Sequence, residues 1–172
     1  MNTNDIIDYI AKLTPIEKIP VTWDAKAYTS DSFNSWASGT SFSGWANEKQ
    51  TEKEVKTITK LFKVKRGNTL LDVACGYGRH ALILAGKYGL KVTGIDISSG
   101  IITAAKRLTR EKGLGIKYEV RQAIDLPWHE KFDYAMIAFN TLSLFGPENA
   151  PKVLEGIHRS LKRSGRPVHR PG

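Results

Sequence analysis

At 172 residues the chain has the length of one domain able to bury a real core. Its apolar fraction of 41% and charged fraction of 25% exclude a disordered class, and its single cysteine, Cys75, excludes an internal disulfide. No apolar run nears the ~20 residues of a membrane span, and the acids in MNTNDIIDYIAK stand where a signal peptide would be basic, so a soluble cytoplasmic protein is expected. The net charge of +9 suits nucleic acid, an anionic surface or an acidic substrate. Most of that surplus is spread over predicted helix faces, and a solvated surface is favoured over nucleic acid.

Residues 1–50 differ from the remainder. They hold Trp23, Trp36 and Trp45 and a Ser/Gly/Asn-rich run, SDSFNSWASGTSFSGWANE. A helix is predicted over Asn4 to Leu13, stopped by Pro15, and then an aromatic lid segment. From Thr51 to Gly172 the pattern reads as a cofactor-binding α/β domain, the two parts forming one structural unit. Val55, Ile58 and Phe62 recur at helical spacing, with Thr51 and Glu54 placed for a capping box. TLLDVA (69–74) is a continuous apolar run suited to a strand buried on both faces.

A helix follows Gly78 and ends near Gly86 or Gly89, and KVTGID (91–96) is the next strand. Ser98 and Ser99 offer an N-cap to a helix carrying Ile101, Ala105 and Leu108, which stops before Gly113. Strands are predicted over 116–122 and 132–139, and a last helix carries Val153, Leu154, Ile157 and Leu161. Strands alternating with helices predict a doubly wound, mostly parallel sheet. Such sheets bind ligands beyond the carboxyl ends of their strands, and the turn after TLLDVA lies at such an end.

Two cofactor classes compete for that turn. Gly76-x-Gly78-x-x-Ala81 with Asp96 about 20 residues on satisfies a dinucleotide fingerprint. Asp72 opposes it, because a carboxylate before the turn repels a pyrophosphate at the helix N-terminus. A cofactor with a cationic amino-acid end, such as S-adenosylmethionine, suits the same carboxylate.

The run LLDVACGYGRHALILAGKYGLKVTGIDIS resembles the first two motifs of class I S-adenosylmethionine-dependent methyltransferases, closest to the small-molecule type with a D-x-A-C-G-x-G-R-H-A turn. The likeness continues through AIDLPW, FDYAMIAFNTLSLFG and VLEGIHRSLKRSGR, covering about residues 48–166, and WDAKAYTSDSF is similar to the start of that family's lid. The resemblance implies that Asp72 faces the methionine ammonium and that Ala74, Gly76 and Gly78 leave room for the cofactor. It implies that Asp96 takes the ribose hydroxyls and Ile97 packs on the adenine. Relatives carry an acid where this chain has Gln122, beside Ala123. The Gln122 amide can still accept a bond from the adenine amine, without charge.

Candidates on the acceptor side are Phe139, Asn140 and Thr141, which end the fourth strand, and Tyr28 of the lid. No catalytic base is identified. Cys75, inside the cofactor turn, reads as a small buried residue. His80, His129, His158 and His169 show no metal spacing, and no metal is expected. Family members continue past the last helix into further strands, whereas here Ser164-Gly165 leads into RPVHRPG with Pro167 and Pro171. The sequence therefore reads as lacking the C-terminal strands, with a free sheet edge that would invite a homodimer. Methylation of a small molecule is the expected function. A cofactor-binding module without turnover and an RNA-directed methyltransferase are the alternatives.

Overall fold

A computed structural model of the chain describes residues 48–138 and 141–163. The predicted Asn4–Leu13 helix, the lid with Tyr28, residues Phe139 and Asn140, and the segment from Ser164 onward lie outside the described residues. In chain order the elements are α1 (Glu48–Phe62), β1 (Thr69–Val73), α2 (Arg79–Gly86), β2 (Lys91–Asp96) and α3 (Ser99–Glu111). They are followed by β3 (Lys117–Val120), β4 (Tyr134–Ile137), the single turn α4 (Thr141–Leu144) and α5 (Gly146–Ser160).

The four strands form a parallel sheet in the order β3-β2-β1-β4. The chain winds outward from β1 to β3 and then returns to the other flank of β1. The carboxyl ends of β1 and β4 therefore diverge at a switch point, the place where open α/β sheets hold ligands.

Side-chain alternation along β1 divides the core in two. Leu70 packs with Val92, Tyr118 and Met136 beneath Val55 of α1, Ala81 and Leu84 of α2, and Ile102 and Ala105 of α3. Leu71 and Val73 face the other way, with Ile95, Leu126, Phe132 and Val153 of α5. Helices thus cover both faces. Phe62 stacks on Tyr134 at 5.1 Å between ring centroids, fixing α1 over β4. At the amino ends of the strands, Asp133 accepts from the Thr69 amide (2.7 Å) and hydroxyl (2.8 Å) and pairs with Lys162 (2.9 Å).

Several expected boundaries move. α1 begins at Glu48, so Thr51 lies inside the helix and no capping box with Glu54 forms; both side chains turn toward α2 instead. β3 stops at Val120, and the Arg121 amide makes the last rung of the ladder to the Asp96 carbonyl (2.9 Å). Phe132 lies outside β4 and makes an isolated parallel bridge with Leu161, which has left α5. The predicted cap of α3 is present: the Ser98 hydroxyl accepts from the Ile101 amide.

Candidate cofactor site

The turn between β1 and α2 forces the backbone into the left-handed region three times, at Ala74 (φ 56°), Gly76 (φ 56°) and Gly78 (φ 81°). Alanine there is strained by about 1 kcal/mol or more, and the surroundings hold it in place. The Cys75 amide donates to the Ile95 carbonyl (2.9 Å) and the Gly76 amide to Asp96 Oδ2 (3.0 Å), so the turn is stitched to the end of β2. The first turn of α2 has no side-chain cap at Gly78.

The two glycines serve different ends. A Cβ on Gly76 would meet nothing within 4 Å, so its outer face is open. A Cβ on Gly78 would fall on the Tyr118 hydroxyl. The Cβ direction at Gly78 is therefore taken up by Tyr118. That ring also lies under Gly94, and its hydroxyl accepts from Thr109 Oγ1 (3.3 Å). Sequence reading passed over Tyr118 because strand periodicity names a buried aromatic without saying which backbone it touches. The Gly94–Tyr118 register supplies that answer.

Asp72 is 1% exposed and lies on the sheet face covered by α1 and α2. Among the described residues neither of its carboxyl oxygens has a hydrogen-bond partner. Burial, then the charge of Asp96, pushes its carboxyl up to about 8, against the pull of Arg79. Asp96 shares that face one strand away, since Asp72 is in register with Gly94. Its two oxygens accept separately from the amides of Gly76 and Ser98, each at 3.0 Å. Burial raises its pKa, and the amides of Ser98, Gly76 and Ile97 oppose that rise. Cys75 is buried, and burial followed by the two aspartates pushes its thiol far up, so it is no nucleophile here.

A second polar cluster joins α1 to α2. Glu54 Oε2 takes Arg79 Nη1 at 2.7 Å and His80 Nε2 at 2.8 Å, while Gln50 donates to Oε1 at 3.0 Å and Arg79 also donates to Thr51. Burial pushes the Glu54 carboxyl up, but the bonds from Gln50, His80 and Arg79 outweigh it and hold it below its ordinary value. Burial and then Arg79 lower the His80 pKa against Glu54. His80 is thus a neutral ring donating to an ionised acid.

The remaining candidates gather at the same edge. Ile97 is half-buried after β2, and the Arg121–Asp96 bond brings exposed Gln122 beside it. Ala123 packs with Leu126 in the α5-side core. The Asp125 amide closes a turn onto the Gln122 carbonyl (3.2 Å) before Pro127. Thr141 donates its hydroxyl to the Ala138 carbonyl (2.8 Å), which ties it to local backbone at the start of α4.

A parallel sheet with this strand order and a glycine turn flanked by two carboxylates defines the Rossmann-like architecture of methyltransferases. The chain belongs to the methyltransferase-domain family, which matches residues 70–165. It is similar to phosphoethanolamine N-methyltransferase 2 of Caenorhabditis elegans, 30% identical over 117 residues that cover 67% of this chain and 26% of the relative. Demethylmenaquinone methyltransferase of Oceanobacillus iheyensis is 33% identical over 120 residues, covering 66% of this chain and 48% of that one. Among solved structures, phosphoethanolamine N-methyltransferase 2 of Haemonchus contortus, in complex with phosphomonomethylethanolamine and S-adenosylhomocysteine, superposes with a TM-score of 0.55. It is 28% identical, covering 64% of this chain and 26% of that one. The chain spans about half or less of the length of each of these relatives.

Proposed function

We propose that this chain binds S-adenosylmethionine at the β1–α2 turn and serves transfer of its methyl group to a small molecule. The observation that carries the proposal is Asp72, a buried carboxylate with no donor among the described residues, near the carboxyl end of β1 just before the β1–α2 turn. A buried acid in this setting calls for a cationic partner. A pyrophosphate brings no cation to Asp72 and adds negative charge beside Asp96, so a dinucleotide fits poorly.

The other residues fit the same ligand. The open face of Gly76 leaves passage over the turn. Each Asp96 oxygen spends one lone pair on a backbone amide and keeps another for a ribose hydroxyl. On this reading Ile97 would offer apolar surface to the adenine and the exposed Gln122 an amide. When bound, the cofactor supplies a methyl group on a positively charged sulfur, already activated for displacement. The chain's own task is then to hold donor and acceptor close and in line. Small acceptors are favoured by the phosphoethanolamine and demethylmenaquinone relatives.

The test is calorimetric titration with S-adenosylmethionine and S-adenosylhomocysteine, with NAD as control. Saturable binding of the first two, lost in Asp96→Ala, is expected. Binding of NAD alone would overturn the assignment. Incubation with radiolabelled S-adenosylmethionine and candidate amines or quinols then tests transfer.

A further inference from the structure

Among the described residues, the charged or titratable groups around Asp72 are already engaged or add to its difficulty. From α2, Arg79 is spent on Glu54 and Thr51 of α1, and His80 on the same Glu54. From β2, Asp96 brings a second negative charge. The turn presents the buried Cys75 thiol and β3 the Tyr118 hydroxyl, which is bonded to Thr109. On β4 the register partner is apolar Met136. An ionised carboxylate buried in such a site, with no donor on either oxygen among the described residues, is costly. The acid form avoids that cost, and burial together with Asp96 keeps it protonated up to about pH 8.

Resting on the cofactor reading above, we propose that Asp72 is a proton-exchange latch, giving up its carboxyl proton to solvent when the cofactor's ammonium arrives. In balance, a neutral carboxylic acid and a bound-for ammonium become a carboxylate–ammonium pair, and one proton leaves. The free protein avoids a naked buried charge, and the cofactor brings the charge that makes ionisation favourable. Cofactor affinity is then set by pH. Below about pH 8 it rises with pH, and above that it declines as the ammonium itself loses its proton.

Calorimetry with S-adenosylhomocysteine, in buffers of different ionisation enthalpy, reads the exchange directly. Near neutral pH the wild type should release about one proton per ligand, and Kd should fall about tenfold between roughly pH 6 and 7. Asp72→Asn should bind weakly, with a flat pH profile and no release. A pH-independent Kd in the wild type, or release that persists in the variant, overturns the proposal.

Thermal melting without ligand provides a second readout on the folded protein. The unfolded chain ionises Asp72 near pH 4 while the folded one keeps the proton to about 8, so wild-type stability should fall across that window relative to Asp72→Asn. Parallel melting profiles would mean that Asp72 is ionised in the free protein, and the latch fails whatever binds. If the profiles diverge but no S-adenosylhomocysteine binds at any pH, the cofactor reading is what fails, and the latch falls with it.

Discussion

Substituting Gly78 by alanine sets a methyl group against the Tyr118 hydroxyl, with the ring carbons behind it at 2.9 and 3.2 Å. Two costs add. A non-glycine residue at φ 81° costs about 1–2 kcal/mol, and overpacking against a wedged aromatic costs about 1–3 kcal/mol. The expected loss of stability is therefore about 2–5 kcal/mol, read as a shift in urea midpoint at constant m.

Gly76→Ala is the internal control. Its φ of 56° carries the backbone strain, but the new methyl meets nothing within 4 Å, so the loss should stay near 1 kcal/mol. The same methyl stands on the open face, so it should weaken S-adenosylhomocysteine binding out of proportion to its effect on stability. Tyr118→Phe removes the atom nearest the Gly78 methyl, so the Gly78→Ala/Tyr118→Phe pair should recover about 1 kcal/mol relative to additivity. Equal losses for the two glycine substitutions, or strict additivity with Tyr118→Phe, would refute the assignment of Gly78 to Tyr118 packing.

The amino-end clasp should show in acid. The Thr69 amide and hydroxyl and Lys162 outweigh burial and hold the Asp133 carboxyl down at about 2. Its contribution is present above about pH 4 and is lost as pH falls toward 2, so Asp133→Asn should cost roughly 1 kcal/mol at neutral pH and nothing at the acid end, by urea titration. Glu54→Gln removes the carboxylate charge that the largely buried Arg79 guanidinium and His80 share, and a loss of about 2 kcal/mol is expected; an unchanged urea midpoint would show that the α1–α2 tie carries no weight. Cys75 should resist iodoacetamide in the folded protein at pH 8 and react fully in denaturant, because burial both hides the thiol and suppresses the thiolate. Mass spectrometry of the two samples decides that.

The strands β1 and β2 and the helices between them were legible because their signals are local. Continuous apolar runs, glycine punctuation and the Ser98 cap each act within a few residues, and the structure places them as expected. Thr51 and Glu54 misled for the same reason. A capping box is a local pattern, and nothing near them in the chain announces that Arg79 and His80, 28 and 26 residues away, claim both side chains. The candidate site divides likewise. The acids and glycines of the turn could be named from spacing and charge, whereas Tyr118 and the Arg121–Asp96 bond arise from strand register.

The sequence by itself determined the alternating elements and pointed to a candidate site at the carboxyl end of β1 for a cationic ligand, because periodicity and charge are written residue by residue. Only the tertiary structure decided that Gly78 yields its space to a tyrosine and that Asp96 is held by two amides. It also decided that Asp72 is buried with no donor among the described residues. Those are matters of which strand lies beside which, and the protonation of a carboxyl group depends on everything packed around it in space.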